Sequence, residues 1–229
     1  MDYFKYKQYE FVKANADDRK VLSVMINPEK ACIFNCQICN LGQTKYQGEW
    51  HDFGPIEDSL KGLEERIIAE KPDIVEVTAG QGDPLTNPHL GEVVDLIHKH
   101  GCAARLINNC YLLGVEGHIE TSLKFEEMIA GFCFVDEDTF KLIHRPRVES
   151  QFSAAKQTES MVRFSHQYKG KFTLRVLLVK GYNDSDEQVA KLKEVVDQIK
   201  YTTLWVGTWP KFNVSDERVA EIDKIIRGK

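Results

Sequence analysis

The sequence contains no run of about 18 apolar residues, and no basic segment followed by an apolar stretch stands at its start. The expectation from both absences is a cytoplasmic protein with no membrane partner. An excess of positive charge is missing too. Lys and Arg number 30 against 35 Asp and Glu, for a net charge of −5. Neutralising phosphates needs a basic surface, so a nucleic acid is not the expected partner. No internal repeat, low-complexity tract, single-sign tail or linker divides the chain. Residues 21–229 are therefore expected to form one domain behind a lead-in of residues 1–20. Its 42% hydrophobic content is ample for a core. The lead-in is aromatic, with Tyr3, Phe4, Tyr6, Tyr9 and Phe11 expected to pack across the edge of that domain.

Cysteine is scarce but patterned. Three of the six stand at Cys32, Cys36 and Cys39, soon after the apolar stretch 21–26. Three thiolates are one too few for a closed site: structural zinc takes four Cys or His ligands, and a four-iron cluster normally takes four cysteines. Three ligands on one tight loop would leave one iron of such a cluster open to an outside ligand. Two other readings stand beside this one. Spacing of i, i+4 and i+7 would place the thiols on one helix face as small core residues, although Asn27, Pro28, Asn35, Gln37 and Asn40 make a poor buried helix. A zinc ion with His51 as fourth ligand is the second, although no further CxxC or HxxxH pair accompanies it. Cys102, Cys110 and Cys133 are scattered and read as buried small hydrophobes. Six cysteines in an intracellular chain do not make a disulfide framework.

Short β-branched runs alternate with amphipathic stretches. Strands are expected at 21–26, 74–78, 103–107, 129–134, 172–179 and 203–206, and helices at 56–70, 89–100, 117–124, 150–168, 186–200 and 215–227. Asp58 and Ser59 are expected to precede the first helix, with Lys71 and Pro72 ending it. Asn87 and Pro88 start the second and Gly101 stops it, and the acidic segment 184–187 opens the fifth. Six strand–helix units imply parallel strands joined by right-handed crossovers. A full barrel has eight units, so the fold class expected is α/β, a partial (β/α)6 TIM-like barrel open on one side. In such sheets ligands bind at the C-terminal strand ends. The cysteine loop and the loops rich in glycine and asparagine all fall at that end.

The stretch 32–42, reading CIFNCQICNLG, is joined by weaker matches at 80–87, 108–113, 136–140, 144–146 and 179–184. Together they resemble the radical S-adenosylmethionine (SAM) superfamily, in particular its wyosine-synthase-like oxidoreductase branch, over about residues 21–209. The resemblance implies a 4Fe-4S cluster held by Cys32, Cys36 and Cys39. Its open iron would chelate the amino and carboxylate groups of SAM, and one-electron cleavage would release a 5′-deoxyadenosyl radical that abstracts hydrogen from a substrate. Gly80, Gln81, Gly82 and Asp83 look like the family's Gly-Gly-Glu loop, which receives the SAM ammonium, here with an acid one methylene shorter. A tight turn before the following helix is the plainer reading of that loop.

Asn108 would face the SAM carboxylate or ribose, or serve only as a turn residue. Ile38 stands where many relatives stack an aromatic side chain on adenine. Where relatives often carry Ser-x-Asp, this sequence has Gly131, Phe132 and Cys133, so Cys133 becomes the candidate catalytic group on the substrate side. Arg175 is polar within an apolar strand and needs a partner, either the SAM carboxylate or a structural one. His144, Arg145 and Arg147 would line the substrate side or a solvated loop. The resemblance implies a small-molecule or short-peptide substrate and a flavodoxin- or ferredoxin-type reductant. Wyosine-type enzymes add cysteines or a flavodoxin domain absent from this sequence. Glycyl-radical activases and RNA-modifying enzymes are alternatives within the superfamily. A non-catalytic iron–sulfur electron-transfer or scaffold protein is the alternative outside it.

Overall fold

The computed structural model describes residues 2–6, 19–147 and 152–228. The chain opens with β1 (Lys5–Tyr6), followed by β2 (Val21–Met25) and a short pair, β3 (Ala31–Cys32) with β4 (Tyr46–Gln47). Helices and strands then alternate: α1 (Glu57–Glu70), β5 (Ile74–Val77), α2 (Leu90–Lys99), β6 (Ala103–Asn108), α3 (Ile119–Ser122) and β7 (Glu127–Phe132). Two helices, α4 (Glu137–His144) and α5 (Ala154–Gln167), fill the next crossover. The chain finishes with β8 (Lys171–Leu178), α6 (Asp186–Val196), β9 (Thr203–Thr208) and α7 (Asp216–Ile226).

The main sheet runs β1-β2-β5-β6-β7-β8-β9. Strands β2 and β5 to β9 are parallel and adjacent in sequence order. A doubly wound sheet would reverse its growth at a switch point. This one adds every strand on the same side, as a barrel does, and stops at six. The expected open, partial barrel is the observed fold. At one edge β1 adds an antiparallel strand, pairing Lys5 with Met25. Tyr3 and Phe4 accompany it to the edge expected for the lead-in, while Tyr9 and Phe11 lie outside the described residues.

Period-two alternation gives each strand two faces. On β8, Phe172, Leu174, Val176 and Leu178 are buried, whereas Thr173, Arg175 and Leu177 are half-buried. The buried set joins Leu22, Val24, Val75, Ala104, Leu106, Met128 and Leu204 in a core shared with the helices. The opposite, lumen face is polar at its floor. Arg105 donates twice to Glu127 Oε2, at 2.8 and 2.6 Å, and at 3.3 Å to Glu76 Oε2, which shares its carboxylate with Ser23 at 3.1 Å. Buried charges need this pairing, because desolvation is otherwise uncompensated.

Local chemistry sets the helix ends. Ser185 and Gln188 form a reciprocal capping box at the start of α6. Lys71 ends α1 in the left-handed conformation at φ 47°, and Gly101 follows α2 at φ 71°. Asp58 and Ser59 do not precede α1 but lie in its first turn, with Ile56 at the cap. Ser150, the expected start of the fourth helix, lies outside the described residues; Ser153 caps α5 instead.

Candidate functional site

The cysteine loop leaves β3 at Cys32 and is not helical. This removes the reading of three thiols on one helix face. Its backbone is held by two unrelated elements. On one side, α4 ends against it: the Asn35 N–H donates to the His144 carbonyl at 3.0 Å and the Gln37 N–H to the Ile143 carbonyl at 2.8 Å. The last carbonyls of a helix lack partners within it, so the loop serves as the C-terminal cap of α4. On the other side, the loop after β5 joins β3. Ala31 N–H donates to Gln81 O at 3.2 Å, and Asp83 N–H donates to Ala31 O at 2.8 Å. Asn27 reinforces the junction by donating to Asp83 O at 3.2 Å, and Asn87 by donating to Ile26 O at 3.1 Å.

Gly82 is obligatory at this junction. It sits at φ 95°, and a Cβ there would lie 1.8 Å from the Ala31 carbonyl oxygen. Asp83 follows with 1% exposure. Its Oδ1 accepts from Leu85 N–H at 3.0 Å, capping a short 3-10 turn, and its Oδ2 is buried without a hydrogen-bond partner among the described residues. Burial drives the carboxyl pKa up to about 7, while the nearby backbone N–H groups of Leu85 and Asn109 pull it the other way. Asp83 is thus both the turn residue and an unsatisfied acid beside Cys32, whose thiol it helps to hold protonated.

The three thiols lie within electrostatic reach of one another, and Cys36 also feels Cys133. Burial pushes Cys32 up to about 12 and Cys36 well above its ordinary value, so both stay neutral until a nearby cation draws the proton away. Cys133, just beyond β7, is buried and likewise pushed up to about 12 by desolvation. Its carbonyl accepts from Asn183 Nδ2 at 2.9 Å. The other two cysteines outside the loop, Cys102 and Cys110, are buried and free, and Cys102 donates to Pro72 O at 3.2 Å.

The remaining candidates divide. Ile38 is half-buried, and its carbonyl accepts from Lys211 Nζ at 2.7 Å. Gly80 and Gln81 form the half-buried lip of the turn that delivers Asp83. Arg175 stands opposite Gly131 and Trp205 in the ladder, with its guanidinium 6.0 Å from the Trp205 ring. It has no hydrogen-bonded or ion-paired partner among the described residues, so no structural carboxylate closes on it; burial lowers its pKa. Asn108 turns to the helix-facing side, where its Oδ1 accepts from Cys110 N–H at 2.8 Å and its Nδ2 points at Met128 Sδ at 2.9 Å. The next residue, Asn109, reaches the site: its Nδ2 lies 3.5 Å from Cys32 Sγ. His51 stacks on Tyr46 at 3.9 Å.

His144 is not a lumen or solvent residue. Its ring is 4% exposed, stacks on Phe34 at 4.5 Å and places Nδ1 3.1 Å from Cys36 Sγ. Burial lowers its pKa to about 3, leaving a neutral imidazole. Arg145, next to it, hydrogen-bonds Gln37 of the cysteine loop.

No group of three Cys, His, Asp or Glu side chains is gathered for a single metal ion among the described residues. A zinc centre needs every donor atom within about 2.3 Å of one point. An iron–sulfur cluster instead places each cysteine on a different iron, so its thiols stand further apart. Three cysteine thiols on one loop, beside a buried acid oxygen without a hydrogen-bond partner among the described residues, are a donor set that would suit a cluster and a cationic ligand.

No family model matches the chain. A UPF0026 protein of Helicobacter pylori is 26% identical over 195 residues, taking in 82% of this chain and 62% of the relative. A UPF0026 protein of Methanocaldococcus jannaschii is 25% identical over 193 residues, covering 82% and 59%. A GTPase Obg of Brachyspira hyodysenteriae is 26% identical over 181 residues, covering 78% of this chain and 26% of that protein. The chain spans less than two thirds of each of these relatives. No described helix is long and apolar enough to cross a membrane. The crystal structure of a radical SAM methyltransferase from Sphaerobacter thermophilus matches 98% of this chain and 66% of that one, with a TM-score of 0.62 at 14% identity. The chain therefore shares with that enzyme an open, parallel-stranded α/β barrel fold.

Proposed function

We propose that this protein is a radical SAM enzyme that acts on a small molecule or short peptide. One observation carries the reading. Three thiols stand on a loop at the barrel mouth, stitched to a buried acid whose second oxygen has no hydrogen-bond partner among the described residues. When bound, a 4Fe-4S cluster and SAM would supply one-electron cleavage of the sulfonium and hydrogen-atom abstraction from the substrate.

The chain's own residues divide the remaining work. Cys32, Cys36 and Cys39 would hold three irons and leave the fourth open. Asp83, with Gly80, Gln81 and Gly82 around it, would accept from the ammonium of SAM: a buried carboxylate oxygen gains most from a cationic donor. Arg175, without an ion-paired partner among the described residues, offers a guanidinium in the lumen for the SAM carboxylate. Ile38 gives the adenine apolar contact, and Asn109 rather than Asn108 directs an amide to the thiol side. Asn108 keeps a supporting role, fixing the turn that presents Asn109. Cys133 sits beyond β7, where a substrate entering the lumen would pass. Substrate would help to cap the mouth of the half-open sheet. A flavodoxin- or ferredoxin-type protein would deliver the electron.

The test is anaerobic reconstitution followed by SAM and dithionite. The enzyme reading requires 5′-deoxyadenosine. A pure electron carrier would show cluster signals without that product, and a zinc protein would hold stoichiometric zinc with no visible chromophore.

A further inference from the structure

We propose that His144 tunes the cluster, its Nδ1–H donating a hydrogen bond to Cys36 Sγ that raises the reduction potential. The inference rests on the cluster reading above and extends it to a residue that binds no iron. The contact is built from three sides. The α4 carbonyls of Ile143 and His144 accept the loop amides of Gln37 and Asn35, which fixes the helix end against the loop. Phe34, two residues before Cys36, stacks on the imidazole at 4.5 Å with an interplanar angle of 23°. Phe140 packs edge-on at 5.0 Å. The ring therefore has one orientation, with Nδ1 3.1 Å from the sulfur.

The chemistry of the pair then decides the tautomer. A cysteine sulfur bound to iron has no proton and only accepts. A neutral imidazole with its proton on Nε2 would aim a lone pair at that sulfur and leave a buried N–H without a partner, since Nε2 has none among the described residues. With the proton on Nδ1, the sulfur receives a donor and only an acceptor goes unmet, which costs less. Hydrogen bonds to cluster sulfurs stabilise the reduced, more negative state and so raise the potential. The consequence is functional: a less negative cluster is reducible by a milder protein donor.

Two replacements separate donor from packing. His144→Phe keeps an aromatic ring on Phe34 and removes the N–H. In His144→Asn the side-chain nitrogen sits the same number of bonds from the backbone as Nδ1, so the donor is retained. EPR-monitored redox titration of the reconstituted proteins, without SAM, should give a more negative midpoint for His144→Phe and a return toward the wild-type value for His144→Asn. Equal midpoints for wild type and His144→Phe would overturn the proposal. Should His144→Phe fail to fold, the wild type still decides. With isotopically labelled histidine nitrogen, pulsed EPR of the reduced cluster should show a weakly coupled histidine nitrogen, and its absence is equally fatal. Iron-free wild-type protein would instead overturn the cluster reading itself, so the two failures are distinct.

Discussion

The backbone N–H of Asp83 donates to the carbonyl of Ala31 at 2.8 Å, one residue before the first cysteine of the loop. This bond ties the acid that would receive a cation to the strand that delivers the thiols. It forms only because the preceding residue brings the backbone into contact at a positive φ. Gly82→Ala should therefore separate the two loops. The added Cβ meets a carbonyl at 1.8 Å in a left-handed conformation, and we expect a loss of roughly 3 kcal/mol or more. Chemical denaturation would measure it. A variant as stable as wild type, with full iron content, would show that the junction is not needed.

Asp83 makes a prediction in pH. Its folded pKa is about 7, against about 3.9 in an unfolded chain. Between these values the folded state keeps a proton that the unfolded state releases. Stability must then fall as pH rises through this window, by up to roughly 1.4 kcal/mol per unit, and level off above pH 7. Asp83→Asn keeps an oxygen for the Leu85 N–H and abolishes the slope. It should be more stable than wild type at pH 8 while binding SAM poorly. Melting curves at several pH values and SAM titrations check the two halves separately; a variant with unimpaired SAM binding would remove Asp83 from the site.

Cys133 lies close enough to Cys36 to influence it, so it is the natural rival for the fourth iron. The open-iron account expects Cys133→Ala to retain the iron content and cluster spectrum of the wild type while altering turnover or product. Loss of cluster would mean that the chain itself supplies the fourth thiolate. Unchanged turnover and product would leave Cys133 as packing.

The lumen floor should matter for folding and not for chemistry. Arg105 is 1% exposed and bonded to both Glu76 and Glu127. Arg105→Met leaves buried Glu76 with only the Ser23 hydroxyl among the described residues, while Glu127 keeps Arg19 at 2.7 Å and Lys171 at 3.5 Å, and should cost roughly 3 kcal/mol, read as a lowered denaturation midpoint. Iron content per folded chain should not change.

The six parallel strands were legible because short, mainly apolar runs alternate along the sequence with amphipathic helical stretches. The short edge strand β1 and the β3–β4 pair were not, since two-residue elements carry no period. Helix α4 escaped because it is only eight residues long, although Asp136 with Glu137 and Asp138 was an available N-terminal signal. The cysteines announced themselves by spacing. The choice between Asn108 and Asn109 did not, because shifting one residue along a strand exchanges its faces. His144 lies 108 positions from Cys36, and no local pattern reveals a contact made only by folding.

The most direct test of the central claim is the EPR spectrum of the reduced, reconstituted protein with and without SAM. If three cysteines leave one iron open, a single reduced cluster per chain should change its g-values when SAM is added, and the triple Cys32, Cys36 and Cys39 alanine variant should show no cluster. A cluster spectrum indifferent to saturating SAM, or an unchanged cluster in the triple variant, would contradict the account.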